Sequence, residues 1–391
     1  MSTPKLRFKE FSGDWTLNKV GDICDCIVPG RNKPTEFDGD IPWITTPDIE
    51  QNRVILFSKK KLHITEEEAK KIGSKIVPKN SIIISCVGEL GLVGFTGKDL
   101  IINQQLHAFI PKENIYFRFL LYALTIKKLY MEKIATKTAV PYMNKDNCNS
   151  IPVLHPSLPE QTKIANFLTA VDDKITLLTK KADLLSQYKK GVMQQIFSQE
   201  LRFKDDNGQE FPEWEEKMLG DIAKFNNGRA YKQSEWEESG TPVIRLQNLT
   251  GSGLDYYYSN LKLPSNQYCE KGDLLYMWSA TFGPVWWFGD KAIYHYHIWK
   301  IETVPTQVSK NYFFYILYDF TAKMKSTSNG STMLHITKGG IEKLTAKFPS
   351  LPEQNKIANF LTAIDEKITN NQTQLDAVKQ YKHGLLQQMF V

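Results

Sequence analysis

The sequence predicts an α+β protein written twice: two mixed α/β bodies, each followed by a long helix. The two helices are expected to pack as an antiparallel coiled coil with pseudo-two-fold symmetry. Three observations predict this. The segment Ser157 to Phe197 returns as Ser350 to Phe390 with 25 of 41 positions identical, an offset of 193. In both copies apolar residues alternate at steps of four and three, the period of a coiled-coil seam. The stretches ahead of the copies have the composition of packed domains and share only a skeleton, such as Ile41-Pro42-Trp43-Ile44 against Thr241-Pro242-Val243-Ile244.

Composition bounds the rest. At 391 residues, 41% hydrophobic and 24% charged, the chain is long enough for two or three domains and is not disordered. No apolar run approaches the eighteen or so residues that cross a bilayer. The start Met1-Ser2-Thr3-Pro4-Lys5 has no signal-peptide core, so a cytoplasmic protein is expected. The five cysteines (Cys24, Cys26, Cys86, Cys148, Cys269) form no CxxC pair, and we read them as reduced structural thiols with no metal. Net charge +6 and a pI near 8.8 lean toward an anionic partner without reaching the pI of about 9 that flags a nucleic-acid domain.

The elements follow in order. The first body, residues 1–156, opens on Leu6-Arg7-Phe8, Trp15 and Gly21-Asp22-Ile23. A buried strand is expected within Asn80 to Val87, and aromatic-rich helix over Tyr116 to Ile134. Residues 157–198 form the central helix, with Pro159 in its first turn and Glu160 at the positive end of its dipole. Its seam runs through Ile164, Leu168, Val171, Ile175, Leu178, Leu185 and Val192, with Lys189 as the exception. The second body, residues 199–349, repeats the opening as Leu201-Arg202-Phe203, Trp214 and Gly220-Asp221-Ile222. It carries an expected strand at Gly272 to Trp278 and helix at Asn311 to Met324. The final helix, 350–391, repeats the seam as Ile357, Leu361, Ile364, Ile368, Leu375, Val378 and Leu385, interrupted by Asn371 and Lys382. The two seam lysines are expected to reach solvent. Asn371 is read either as a register-fixing buried polar group or as a solvated position.

Catalytic parts are not found. The glycines of Gly88-Glu-Leu-Gly91-Leu-Val-Gly94 continue a strand into a turn and read as a hairpin, not a dinucleotide loop. There is no GxxxxGK[ST], no Asn/Asp-Pro-Pro-aromatic tetrapeptide and no acidic nuclease constellation. His295 and His297 would share one face of a strand, but without a nearby cysteine or carboxylate set they read as a packed or base-facing pair. Two diverged bodies held apart by a strut suit a bipartite, asymmetric target, of which duplex DNA is an example.

These residues resemble a known family. The Leu-Pro-Glu-Gln-x-Lys-Ile-Ala-x-Phe-Leu openings of both helices, the Leu-Arg-Phe entries to both bodies and the Tyr-Lys-x-Gly-x-x-Gln-Gln ends (Tyr188 to Gln195, Tyr381 to Gln388) look like the DNA specificity subunit of type I restriction-modification enzymes. The resemblance implies a non-catalytic subunit whose bodies each read half of a split DNA sequence while the helices set the spacer. Two methyltransferase subunits would bring S-adenosylmethionine, and two restriction subunits would bring ATP and Mg. No cofactor is expected in this chain.

The reading residues vary within such a family, so they are chosen by chemistry. Arg suits guanine, Asn and Gln suit adenine, and Lys suits phosphate. The candidates are Arg31, Asn32 and Lys33 in the first body, and Arg229, Tyr231, Lys232 and Gln233 in the second. Thr45, Thr46, Arg245, Gln247 and Asn248 follow the shared Pro-x-Ile anchor. The alternative class is a coiled-coil adaptor with aromatic, carbohydrate-binding bodies, suggested by Trp278, Trp286, Trp287, Trp299 and Tyr256-Tyr257-Tyr258 in the second body.

Overall fold

The computed structural model describes residues 4–279, 281–327 and 336–390; the opening Met1-Ser2-Thr3, read above for a leader, lies outside them. No helix among the described residues is long and apolar enough to cross a membrane. The chain forms two compact units. One is Met1–Lys180 together with Gln372–Val391, the other Lys181–Asn371.

In the first unit, a five-stranded sheet runs in the order Cys24–Ile27, Leu106–Pro111, Ile82–Ser85, Val93–Thr96, Val54–Ile55. Ile82, Ile84 and Phe109 face one core and Ile83, Leu106 and Ala108 another, the alternation expected of a sheet covered on both sides. Gly88 and Gly91 take positive φ of 74° and 77° in the turn between the antiparallel strands Ile82–Ser85 and Val93–Thr96, so the glycine-rich stretch is a hairpin. A three-stranded sheet has the order His63–Ile64, Ile41–Ile44, Ile101–Ile102, with the earliest strand in the middle. The aromatic-rich helical stretch is two helices, Phe117–Thr125 and Lys128–Ile134.

The second unit repeats the plan in two four-stranded sheets. One is Ala223–Asn227, Ile298–Thr303, Leu274–Ser279, Thr281–Trp286; the other is Tyr257–Ser259, Thr241–Ile244, Ala292–Tyr294, Tyr268–Cys269. Ile82 pairs with Phe109 in the first body and Leu274 with Ile301 in the second, so the registers match at an offset of 192.

The long helices are Leu158–Phe197 and Leu351–Met389. Their shared opening is explained by what it holds. Arg7 grips Glu160 through two bonds of 2.7 and 2.8 Å, and Arg202 grips Glu353 at 3.1 and 2.9 Å. Both glutamates are buried. The glutamate read as a dipole partner is thus one half of an ion pair with the body's own entry motif. Gln161 accepts from Tyr116 N and donates to Asn114 O and Pro156 O; Gln354 does the same with Ser309 N, Gln307 O and Pro349 O.

Within each unit the two helices run in opposite directions. In the first, Ile164, Leu168 and Val171 share a core with Leu385, Leu386, Met389 and Phe390, flanked by Ile175 and Val378. Leu178 and Leu375 are also buried. In the second, Ile357, Leu361 and Ile364 share a core with Val192, Met193 and Ile196, with Ile368 packed against it; Leu185 is half-buried.

The seam lysines do not reach solvent. Lys382 Nζ bonds Asp172 at 2.6 Å and Lys189 Nζ bonds Asp365 at 2.5 Å. The same carboxylates accept hydroxyls from Tyr122 and Tyr315. The expectation failed because the acidic partner sits on the other helix, and a seam pattern does not display it. Asn371 is 2% exposed, so its solvated reading falls as well.

Candidate nucleic-acid interface

In each body the candidate loops meet at one corner, where the first strand of the large sheet, the Pro-x-Ile strand and a connecting tripeptide converge. In the second body Ile244 O accepts from His295 N at 2.9 Å and Tyr294 O accepts from Arg229 N at 3.2 Å. His295 therefore lies between Arg245 and Arg229. In the first body Ile44 O accepts from Asn103 N at 2.9 Å, which puts Asn103 where His295 stands. Asn103-Gln104-Gln105 thus corresponds to His295-Tyr296-His297.

The corner requires glycine ahead of each arginine. A Cβ on Gly228 would meet His295 O at 2.2 Å, and one on Gly30 would meet Ile72 O at 2.0 Å. Both are closer than real Cβ contacts come. The backbones cross there with no room for a side chain, and this fixes where the next residue points.

The second corner is aromatic, cationic and unsatisfied. Arg229 Nη2 bonds Glu235 at 2.5 Å, and its guanidinium lies 5.3 Å from the Tyr231 ring. Arg245 stacks 4.0 Å over Tyr257, whose ring is 4.2 Å from that of Trp236. Arg229 Nη1, Arg245 Nε and the Tyr231 hydroxyl are buried and have no hydrogen-bond partner among the described residues. Three donors of this kind each cost on the order of 1 to 3 kcal/mol until an acceptor arrives. Burial, then His297 and Arg245, push His295 down to about 4, so it is neutral at pH 7. Lys232 and Gln233 are exposed and Gln247 is half-buried.

The first corner is polar and open. Arg31, Asn32 and Lys33 are exposed, and among the described residues no side-chain bond holds them. Gln104 Nε2 donates to Gly30 O and Asn32 O at 3.0 and 2.7 Å, pinning their backbone. Thr46 Oγ1 bonds Gln105. Thr45 is turned to a local task, its N–H and hydroxyl both donating to Asp48 at 2.8 Å. Asn248 likewise accepts from Arg245 N and gives both amide hydrogens to Gly253 O and Asp255 O. Each is held within the first turn of the short helix that follows its strand, so neither offers the free amide or hydroxyl for which it was chosen.

A model of the type I restriction modification DNA specificity domain matches the chain twice, over residues 12–187 and 212–380. The chain belongs to this family. Among curated relatives it is similar to the MjaIX specificity subunit of Methanocaldococcus jannaschii, 26% identical over 95% of this chain and 92% of that one. It is also similar to the MjaVIII specificity subunit of the same organism, at 24% over 97% and 94%. The crystal structure of the S subunit from M. genitalium matches with a TM-score of 0.63, covering 100% and 99% of the two chains at 17% identity, which speaks for the fold.

Each match to the specificity-domain family takes in one body and most of its helix, the same unit that the sequence repeats. Within it the frame recurs (Gly30 and Gly228, the capped turns, the strand register) while the residues set upon it change. Asn103-Gln104-Gln105 was passed over by sequence reasoning. The signal was its alignment with His295-Tyr296-His297 at an offset of 192.

The specificity-domain bodies differ at a second place. Cys86, His107 and Cys148, read as unconnected from the sequence, are buried together. Cys86 donates to Cys148, and with His107 this pulls the Cys148 thiol down to about 6, while burial drives Cys86 up.

Proposed function

We propose that this chain is the specificity subunit of a type I restriction-modification complex, and that its two bodies read the two halves of a split, asymmetric sequence in duplex DNA. The observation that carries the reading is the second corner. Buried donors on Arg229, Tyr231 and Arg245 without acceptors lie on the loops that sequence chemistry had selected. Guanine O6 and N7 are acceptors of the kind a guanidinium meets bidentately, and a phosphate oxygen would satisfy the remainder.

The partners follow from the family. Two methyltransferase subunits holding S-adenosylmethionine would methylate adenine, and two restriction subunits using ATP and Mg would translocate and cut. This chain supplies recognition and no catalytic group. The helices, about 60 Å each at 1.5 Å per residue, would set the unread spacer. The carbohydrate-adaptor alternative is not favoured: of the tryptophans that suggested it, Trp287 and Trp299 are 8% and 2% exposed and serve as core, while Trp278 stacks on Trp299 and Trp286 on Phe314.

The deciding experiment is a single-molecule methylome of cells carrying the three subunits, with and without this gene. Loss of adenine methylation at one split motif is the expected result. An unchanged methylome, together with duplex binding that does not weaken steeply as salt rises, would overturn the reading.

A further inference from the structure

Three residues scattered over the sequence meet on one face of the first body's large sheet, and a fourth, Cys26, lies on the same face. Ser85 pairs with Leu106 and Cys86 N bonds Gln105 O, so Cys86 shares a face with His107. Cys26 pairs with Phe109, and residues 107 and 109 project to the same side of their strand. Cys148 reaches that face from the short helix Lys145–Asn149. Cys86, His107 and Cys148 are 1%, 5% and 0% exposed, and Cys26 is half-buried against the same core.

The donor atoms converge. Cys86 Sγ and Cys148 Sγ are 3.5 Å apart, His107 Nδ1 is 3.2 Å from Cys148 Sγ, and all three lie within 4.8 Å of one another. Around a tetrahedral zinc with bonds of about 2.3 Å to sulfur and about 2.0 Å to nitrogen, the separations would be about 3.8 Å and about 3.5 Å. The two separations made by Cys148 are therefore a few tenths of an ångström from those of a coordination shell, and the Cys26 side chain would swing in from the neighbouring strand to complete it.

The duplication supplies an internal control. By the strand registers and the 193-residue offset, the corresponding positions of the second body are Phe225, Trp278, Trp299 and Ile341. There Trp299 lies 5.8 Å from both Phe225 and Trp278, and Phe225, Trp299 and Ile341 are buried in one core. The same four places are thus filled by bulky apolar groups in one body and by four soft metal ligands in the other. A buried core can be built here without sulfur or imidazole, and the first body departs from that solution at all four positions together.

We propose that Cys26, Cys86, His107 and Cys148 form a structural site for one thiophilic divalent cation of the zinc class, tying the helix Lys145–Asn149 to the sheet. With Cys26 as the fourth ligand no position is left open, the mark of a structural site and not a catalytic one. Binding displaces the thiol protons to solvent, so affinity falls with pH.

The full chain, purified with reductant and without chelator, is expected to carry about one zinc per molecule. After metal removal, titration of the reduced chain with Co2+ should give a thiolate-to-cobalt charge-transfer band and the visible bands of tetrahedral cobalt, saturating at one equivalent and displaced by zinc. In the variant Cys86→Ala/Cys148→Ala the charge-transfer band should be lost. No such band in the wild-type chain overturns the proposal without reference to any variant. So does a band that survives in the double variant, and so does a Cys86–Cys148 disulfide in place of metal, detected by mass.

Discussion

Lys382 Nζ lies 2.6 Å from Asp172 Oδ1, across 210 residues of sequence, and Tyr122 donates its hydroxyl to the other oxygen of that carboxylate at 2.7 Å. One carboxylate therefore joins both long helices and the first body. The two side chains are 14% and 13% exposed, which makes removal of one partner costly. Asp172→Ala should destabilise the first unit by about 2 to 4 kcal/mol, because it strands the lysine and the tyrosine hydroxyl. Adding Lys382→Met should recover a large part. Urea unfolding of the single and double variants beside the unsubstituted chain checks this; equal losses in the two variants would show that the pair is incidental.

Arg245→Ala should weaken binding of the cognate duplex by about 1 to 3 kcal/mol and relax discrimination in one half-site only. Arg229→Ala should act on the same half-site. Competition binding against duplexes altered in one half-site at a time distinguishes this from a phosphate contact, which would weaken all sequences alike.

Glycines divide by what surrounds them. Gly228→Ala must move either its own loop or the His295 carbonyl, so DNA binding should fall together with stability. Gly191, in the interior of Leu158–Phe197, has nothing within 4 Å of its would-be Cβ. There Gly191→Ala should raise stability by about 0.5 to 1 kcal/mol. Thermal melting and duplex titration of both variants test the contrast.

His295, pushed down to about 4 from 6.5, stays neutral in the fold at pH values where the unfolded chain already binds the proton. Its contribution is therefore fully present above about pH 6.5 and is lost as pH falls toward about 4. Because the ring is half-exposed, solvent screening reduces the effect to about 1 to 2 kcal/mol. A His295→Phe variant should show a flatter stability profile between pH 6.5 and 4, measured by denaturant midpoints.

The helices were legible because a 4-3 apolar period is local information, and the duplication was legible because identity survives in the segments that grip each body. Glu160 and Gln161 could be placed in a first turn, but Arg7 and Tyr116, which they hold, lie 153 and 45 residues away. Lys189 and Lys382 were misread for the same reason. At the corner, Arg31 and Arg229 follow a turn glycine and could be chosen from chemistry. Thr45 and Asn248 could not be excluded, since a helix cap and a base contact ask for the same residue types. The cysteine and histidine grouping was invisible, because strand pairing and one short helix bring together positions 26, 86, 107 and 148.

The division of each helix between two units sets an order of events during synthesis. The second unit, Lys181–Asn371, is a continuous stretch and has every part it needs once residue 371 clears the ribosome. The first body is made earlier but shares its core with Leu385, Leu386, Met389 and Phe390, which are made only after the whole second unit. At about 5 to 20 residues per second it waits about 10 to 40 s for them, with Phe119, Ile164 and Leu168 only partly covered. The body translated first is thus completed last, and a chain halted before Gln372 would present that uncovered face to the cell's chaperones and proteases.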